Sequence, residues 1–203
     1  MINKNRLIKL TQELIRIDSQ NPPGNELRIA HFVRDKLQKL GLKVKLYEFA
    51  KSRPNVITYY KSNSPRFSLL ISPHLDTVPA GSGWKFDPFG AKIYKGKIYG
   101  RGATDCKGNL AIAMEAINSL IENKVKLDYD IIFAATADEE SGSEFGIIPL
   151  LNKKIIKPKL ALILDSDDYK IIIAQKGLIH FKISVSGKKA HGAYPWRGVN
   201  AID

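Results

Sequence analysis

A chain of 203 residues, 44% hydrophobic and 26% charged, is long enough to bury a core and carries the composition of an ordinary globular protein of one domain, or one domain and part of another. No apolar run approaches the ~20 residues of a membrane span, the N-terminus Met1–Arg6 lacks a leader's apolar stretch, and the lone cysteine, Cys106, excludes an internal disulfide; together these point to the cytoplasm and away from a membrane. The net charge of +12 raises nucleic-acid binding as an alternative, but only 8 of the 32 basic residues are arginine and the lysines are scattered, whereas base readers lean on arginine forks and basic patches cluster, so the expectation is a lysine-rich solvated surface able to steer an acidic substrate.

The chain opens with a helical stripe of Leu7, Leu10, Leu14 and Ile17, broken by Asn21-Pro22-Pro23-Gly24. A second helix is predicted with Ala30, Val33, Leu37 and Leu40 on one face and Gly41 as its stop; His31 lies off that stripe and reads as a solvated helix residue. Strands are predicted at about 43–49, 55–61 and 67–72, the first two pairing through Ser52-Arg53-Pro54. Two short segments flanking Lys95-Gly96 read as a hairpin. A helix over about 107–123 follows, then a strand at 129–136, a short helix near 144–151 and a strand at 160–164. Alternation of helices with apolar strands predicts an α/β fold with a mostly parallel sheet covered by helices. From Lys176 the pattern changes: Ile179, Phe181, Ile183 and Val185 alternate with polar residues, His180 among them on the wet face, which predicts an amphipathic strand. A helix is predicted to start at Val199.

The chemistry collects where the predicted strands end. The run Ile131–Ala137 leads into Asp138-Glu139-Glu140, Ser68–Pro73 into His74-Leu75-Asp76, and Leu160–Leu164 into Asp165-Ser166-Asp167-Asp168, while Gly100–Thr104 delivers Asp105 to the front of a helix. Open α/β sheets bind ligands at strand ends. On an extended chain Glu139 and Glu140 would point opposite ways, so one could bind a metal while the other handles a proton. His, Asp and Glu donors without a Cys set suit a catalytic zinc or a related divalent ion. Two such ions need a bridging carboxylate, a role that suits Asp105 in its glycine-bounded turn. Asp76, two residues past His74, is placed to orient the imidazole. The parts are those of metal-assisted amide hydrolysis.

His74-Leu75-Asp76-Thr77-Val78-Pro79, Gly100–Gly108 and Thr136–Gly142 resemble the three signatures of the co-catalytic zinc deacylase and exopeptidase family, which includes acetylornithine deacetylase, succinyl-diaminopimelate desuccinylase, aminoacylase and glutamate carboxypeptidase. Trp84–Phe89 and the run from Gly187 through Ala190-His191 to Pro195 fit the same pattern. The resemblance implies that His74, Asp105 and Asp165 hold a first zinc, that Asp105 bridges to a second zinc shared with Glu140, and that Glu139 is the general acid/base with Asp76 supporting His74. Cobalt or manganese could replace zinc. His191 would be the lid histidine that steadies an oxyanion in a partner subunit's site, making the whole protein a homodimer through its lid. It also implies a cis peptide at Asp105–Cys106. The resemblance points to Asp165, rather than Asp167 or Asp168, because it precedes Gly177 by the spacing that relatives show. Aspartate at 165, where many deacylases carry glutamate, tilts toward a peptidase-like member. Cys106 stands where relatives commonly have methionine and reads as a small apolar filler ahead of a metal or redox role.

On this reading residues 1–175 form the N-terminal part of a catalytic metal-binding domain and 176–203 begin a smaller α+β lid or dimerisation domain. The expected substrate is a small N-acyl amino acid or a peptide-like amide. In the family the chain returns from the lid to supply the second metal's histidine, so this chain is expected to be an incomplete piece that binds at most one metal.

Overall fold

The first helix, α1 (Lys4–Ile15), starts where the Asn3 side chain accepts the Arg6 N–H, satisfying one of the donors a helix start leaves unpaired. It buries Leu10, Leu14 and Ile15. Helix α2 (Leu27–Lys39) turns Ile29, Ala30, Val33 and Leu37 inward. His31 is half-buried on its flank. Gly41 follows at φ +84°, its N–H bonded to the Gln38 carbonyl, the left-handed stop that glycine accepts without strain. The computed structural model describes residues 1–165, 170–174, 177, 179 and 181–202.

Strands β1 (Val44–Glu48) and β2 (Pro54–Tyr60) pair antiparallel across the predicted turn, and β3 (Ser68–Ser72) follows. The short β4 (Lys92–Tyr94) and β5 (Lys97–Tyr99) form a separate hairpin whose corner residues, Lys95 and Gly96, both have positive φ, the backbone twist that two-residue hairpins favour. Then come α3 (Lys107–Glu122), β6 (Asp130–Ala135), α4 (Ile147–Asn152) and β7 (Leu160–Ile163). The main sheet has the order β1-β2-β6-β3-β7. β2 is antiparallel to both neighbours, and β6, β3 and β7 are mutually parallel, so four of the five strands run one way. The sheet is mostly parallel in strand direction, as the sequence pattern predicts.

β6 is buried along its whole length, and its alternate side chains feed two cores. Phe133 and Ala135 join Leu14, Val33, Leu110 and Met114 on the face covered by α1, α2 and α3. Ile132 and Ala134 join Ile57, Leu70, Leu150 and Ile156 on the other. A strand covered on both sides reads as a continuous apolar run for this reason. At the edge, β7 leaves Leu160, Leu162 and Ile163 about half exposed.

The chain divides into two compact units, Met1–Lys170 and Ile171–Asp203. In the second unit the amphipathic strand predicted over 179–185 is not formed among the described residues: Ile179, Phe181, Ile183 and Val185 stand exposed without a ladder. A strand needs a partner to exist. Among the described residues no helix begins at Val199, which exchanges two backbone hydrogen bonds with Lys188 instead. A short 3-10 turn at Pro195–Arg197 packs Trp196 edge-on against Tyr194. His180, Asp167 and Asp168 lie outside the described residues.

Candidate metal centre

Three parallel strands end side by side, and the chain keeps them in step past their ends. Thr136 N–H donates to Pro73 O at 3.1 Å, Leu75 N–H to Thr136 O at 2.7 Å and Leu164 N–H to Ser72 O at 3.1 Å. His74 after β3, Asp138-Glu139-Glu140 after β6 and Asp165 after β7 therefore emerge at one edge of the sheet. Asp105 arrives from the turn before α3. There Gly102 has φ +80°, and a Cβ on it would stand 2.8 Å from Thr77 Cγ2 and 3.0 Å from Lys107 Cδ, so only glycine lets the turn close on itself. The Asp105–Cys106 peptide is cis.

The His74 side chain is almost wholly buried, with Nε2 pointing out at carboxylates: 2.8 Å to Asp105 Oδ1, 3.8 Å to Asp165 Oδ1 and 3.9 Å to Glu139 Oε2. One donor atom each from His74, Asp105 and Asp165 falls within 4.8 Å of the others. Burial works against a charge on the His74 imidazole, but the carboxylates of Asp105, Asp165 and Asp76 outweigh it and hold the pKa above its ordinary value. Asp165 is lowered by its hydrogen bond with His74. Glu139 is raised, first by burial and then by repulsion from Asp165, Asp76 and Asp105; Glu140 is raised by burial and by Asp105. Anionic groups crowded round a buried imidazole are the arrangement a divalent cation neutralises. The donor set, one neutral-capable nitrogen and hard carboxylate oxygens, fits zinc or a related ion.

The structure alters two of the local readings. Glu139 and Glu140 are not on an extended chain: Asp138 is left-handed at φ 64° and Glu139–Ser141 form a 3-10 turn. The strand alternation expected to send the two carboxylates opposite ways does not apply. Glu140 stands outside the three-donor cluster, with Oε1 accepting the Val78 N–H at 3.0 Å. Asp76 does hold His74, but the closest acceptor for Nδ1 is the Asp76 backbone oxygen at 3.0 Å, with carboxylate Oδ1 at 3.4 Å. The chain bends at Leu75, which frees the carboxylate for other donors: Glu139 N–H to Oδ1 and Glu140 N–H to Oδ2, each at 3.1 Å, and Asn21 Nδ2 to Oδ2 at 2.8 Å. These bonds and His74 keep Asp76 below the ordinary carboxylate range in spite of its burial.

Cys106 is buried but is more than an apolar filler. Its Sγ accepts the His74 N–H at 3.1 Å and lies 3.4 Å from Leu164 O, tying the ends of β3 and β7 to the start of α3. It is not among the three clustered donors. The sequence predicts no site role for Asn21, Glu26, Arg53 or Asp138. They form a buried polar group behind the 3-10 turn. Charged residues at 26 and 53 carry no periodic signal, and only Asp138, next to Glu139, could have drawn notice. His191 lies in the second unit, where its Nδ1 accepts the Ala193 N–H at 3.2 Å.

A family model described as Peptidase family M20/M25/M40 matches residues 70–192, a span that includes every residue of the three-donor cluster. The succinyl-diaminopimelate desuccinylase of Orientia tsutsugamushi (strain Ikeda) is 34% identical over 212 residues, covering 98% of this chain and 54% of that protein. Among solved structures, an M20 family metallo-carboxypeptidase from Sulfolobus solfataricus superposes with a TM-score of 0.69 at 28% identity, over 79% of this chain and 37% of that one. A Staphylococcus aureus tripeptidase superposes with a TM-score of 0.68 at 25% identity, over 100% and 54%. The chain spans about half the length of the curated relatives it matches.

Proposed function

The chain belongs to the M20/M25/M40 peptidase family, and from that premise we propose that the whole protein hydrolyses an amide bond in a small N-acyl amino acid or peptide-like substrate. The observation that carries this reading is the meeting of His74, Asp105 and Asp165 within 4.8 Å, with the Glu139 carboxylate 3.9 Å from His74. His74, Asp105 and Asp165 would hold one divalent ion, zinc in the first instance, and Asp105 with Glu140 would hold a second. Bound there, such ions supply Lewis acidity that acidifies water and polarises the amide carbonyl.

The protein's own groups do the rest. Asp76 occupies the inner nitrogen of His74 and so leaves Nε2 to face the substrate side. Glu139, half-exposed beside that nitrogen, takes the proton of the attacking water and delivers it to the leaving nitrogen, the two-stage work of a single carboxylate. His191, acting from a second subunit, would steady the oxyanion. The relatives named as desuccinylases support a succinylated amino acid as one candidate substrate, and the tripeptidase and carboxypeptidase support a short peptide as another.

In the whole protein, Glu139→Ala should lower turnover about 100- to 10,000-fold with metal content unchanged. Turnover equal to wild type would remove Glu139 from the mechanism. A narrower reading is favoured by the donor cluster, which gathers His74, Asp105 and Asp165 but not Glu140: the 203-residue chain by itself holds at most one ion. Elemental analysis after zinc loading and desalting distinguishes one ion per chain from two.

A further inference from the structure

Directly behind the Glu139-Glu140 turn lies a closed group of buried charges. Arg53 donates to Glu26 through Nε, at 3.1 Å to Oε2, and through a terminal nitrogen, at 2.7 Å to Oε1. Its other terminal nitrogen is 2.9 Å from Asp138 Oδ1. The side chains of Arg53, Glu26 and Asp138 are 10%, 0% and 3% exposed. The guanidinium is closely packed: a Cβ on Gly24, at φ +80°, would lie 2.4 Å from Arg53 Cζ, and Arg53 Cζ stands over the Phe145 ring at 5.5 Å from its centroid.

Every polar group of Asp138 is engaged. Its N–H donates to Glu26 Oε1 at 3.2 Å, Oδ2 accepts the Phe145 N–H at 3.0 Å, Oδ1 also receives Asn21 Nδ2 at 3.3 Å, and its carbonyl accepts the Ser143 N–H at 2.6 Å. Its backbone is left-handed at φ 64°, a conformation that a residue with a Cβ holds only against a steric penalty. Buried ion pairs are no cheaper than apolar packing of the same volume, and their best-attested use is to specify geometry. What this group specifies is the reversal of the chain between β6 and the 3-10 turn. Asn21 joins it to Asp76, the acceptor of the Glu139 and Glu140 N–H groups.

We propose that Arg53 is a positioning residue for the Glu139-Glu140 pair: its fork, locked between Glu26 and Asp138, holds Asp138 left-handed and so keeps the 3-10 turn docked on Asp76. The functional meaning of that docking rests on the hydrolase reading above, but the docking itself does not.

The test is amide hydrogen exchange by NMR on the metal-free chain, comparing wild type with Arg53→Lys, which keeps the charge but loses the planar fork that spans the two carboxylates. Asp138→Asn is the second variant, since asparagine also tolerates the left-handed backbone. The expected result is exchange about tenfold faster or more at Glu139 and Glu140, with Phe133 in β6 and Leu110 in α3 unchanged, as local opening requires. Arg6→Met, which breaks a distant link between α1 and α3, should accelerate no amide of the turn more than those core amides. Acceleration of the turn and the core by one common factor would show a merely structural role and overturn the proposal. Unchanged exchange at Glu139 and Glu140 in a folded variant would also overturn it, as would failure of both variants to fold. A parallel cobalt(II) titration of wild type, read by visible absorbance, separates the two levels. No cobalt uptake would sink the metal reading of the site and leave the exchange result standing.

Discussion

The carboxylate of Asp76 accepts the backbone N–H of Glu139, Oδ1 to N at 3.1 Å. The same side chain lies 3.4 Å from His74 Nδ1 and accepts the Glu140 N–H. One buried anion thus couples the end of β3 to the end of β6. Asp76→Asn keeps the shape but replaces one acceptor oxygen with a donor facing N–H groups. Zinc affinity, measured by competition with a chromophoric chelator, should fall about 10- to 100-fold, the usual cost of losing the support behind a metal ligand. Affinity equal to wild type would show that the His74 ring is held by the Asp76 backbone oxygen alone.

Zinc binding should raise thermal stability, because the three donors converge only when folded. At a free concentration 100 times the dissociation constant the gain is about 2.7 kcal/mol, roughly 5–10 °C in the melting temperature for a chain of this size. Chelation should reverse it. His74→Ala should abolish the shift, and a zinc-induced shift persisting in that variant would place the ion elsewhere.

Cys106 should be inert in the native state. It is fully buried, and burial pushes its thiol pKa up, so little reactive thiolate forms. A disulfide reagent should label it only as fast as the protein opens, and in denaturant at once. Cys106→Ala strands the buried His74 N–H and should cost about 1–3 kcal/mol, measured by urea unfolding. A neutral result would return Cys106 to the role of filler.

Lys107 is fully buried, with Nζ donating to the Ile17 carbonyl at 2.6 Å, and burial lowers its pKa from 10.5 to about 8. Between those two values the unfolded chain binds the extra proton, so stability rises with pH across that window. Relative to Lys107→Met, wild type should gain about 3 kcal/mol from pH 8 to 10.5. Parallel pH profiles for the two proteins would mean that the ammonium is better solvated than its burial implies.

The elements whose partners are near in sequence, or whose periodicity is strong, were legible before the structure. α2, with Ala30, Val33 and Leu37 turned inward and Gly41 as its stop, follows its pattern closely. So do the Lys95-Gly96 hairpin and the doubly covered β6. The second unit did not follow its pattern. Residues 179–185 alternate as a strand should, yet alternation specifies only which side would be buried, and nothing among the described residues pairs with them.

At the site, positions at strand ends pointed to His74 and to the acidic segment at 165–168, and the glycine-bounded helix start to Asp105, because apolar runs mark where strands stop and the carboxyl edge of a parallel sheet gathers the residues just beyond them; the choice of Asp165 within its segment came from the family resemblance. The turn behind them could not be read that way. Glu26 and Arg53 lie 27 residues apart, and Asp138 a further 85 on, with no spacing rule to link them. Hydrogen bonding between such residues depends on which loops the folded sheet brings together, so sequence alone determined the chemical parts and their common edge. Only the tertiary structure decided that Asp138 turns left-handed, that Asp76 receives the Glu139 and Glu140 amides, and that Arg53 stands behind them: directional bonds in a buried space are set by three-dimensional distance, which a linear pattern does not contain.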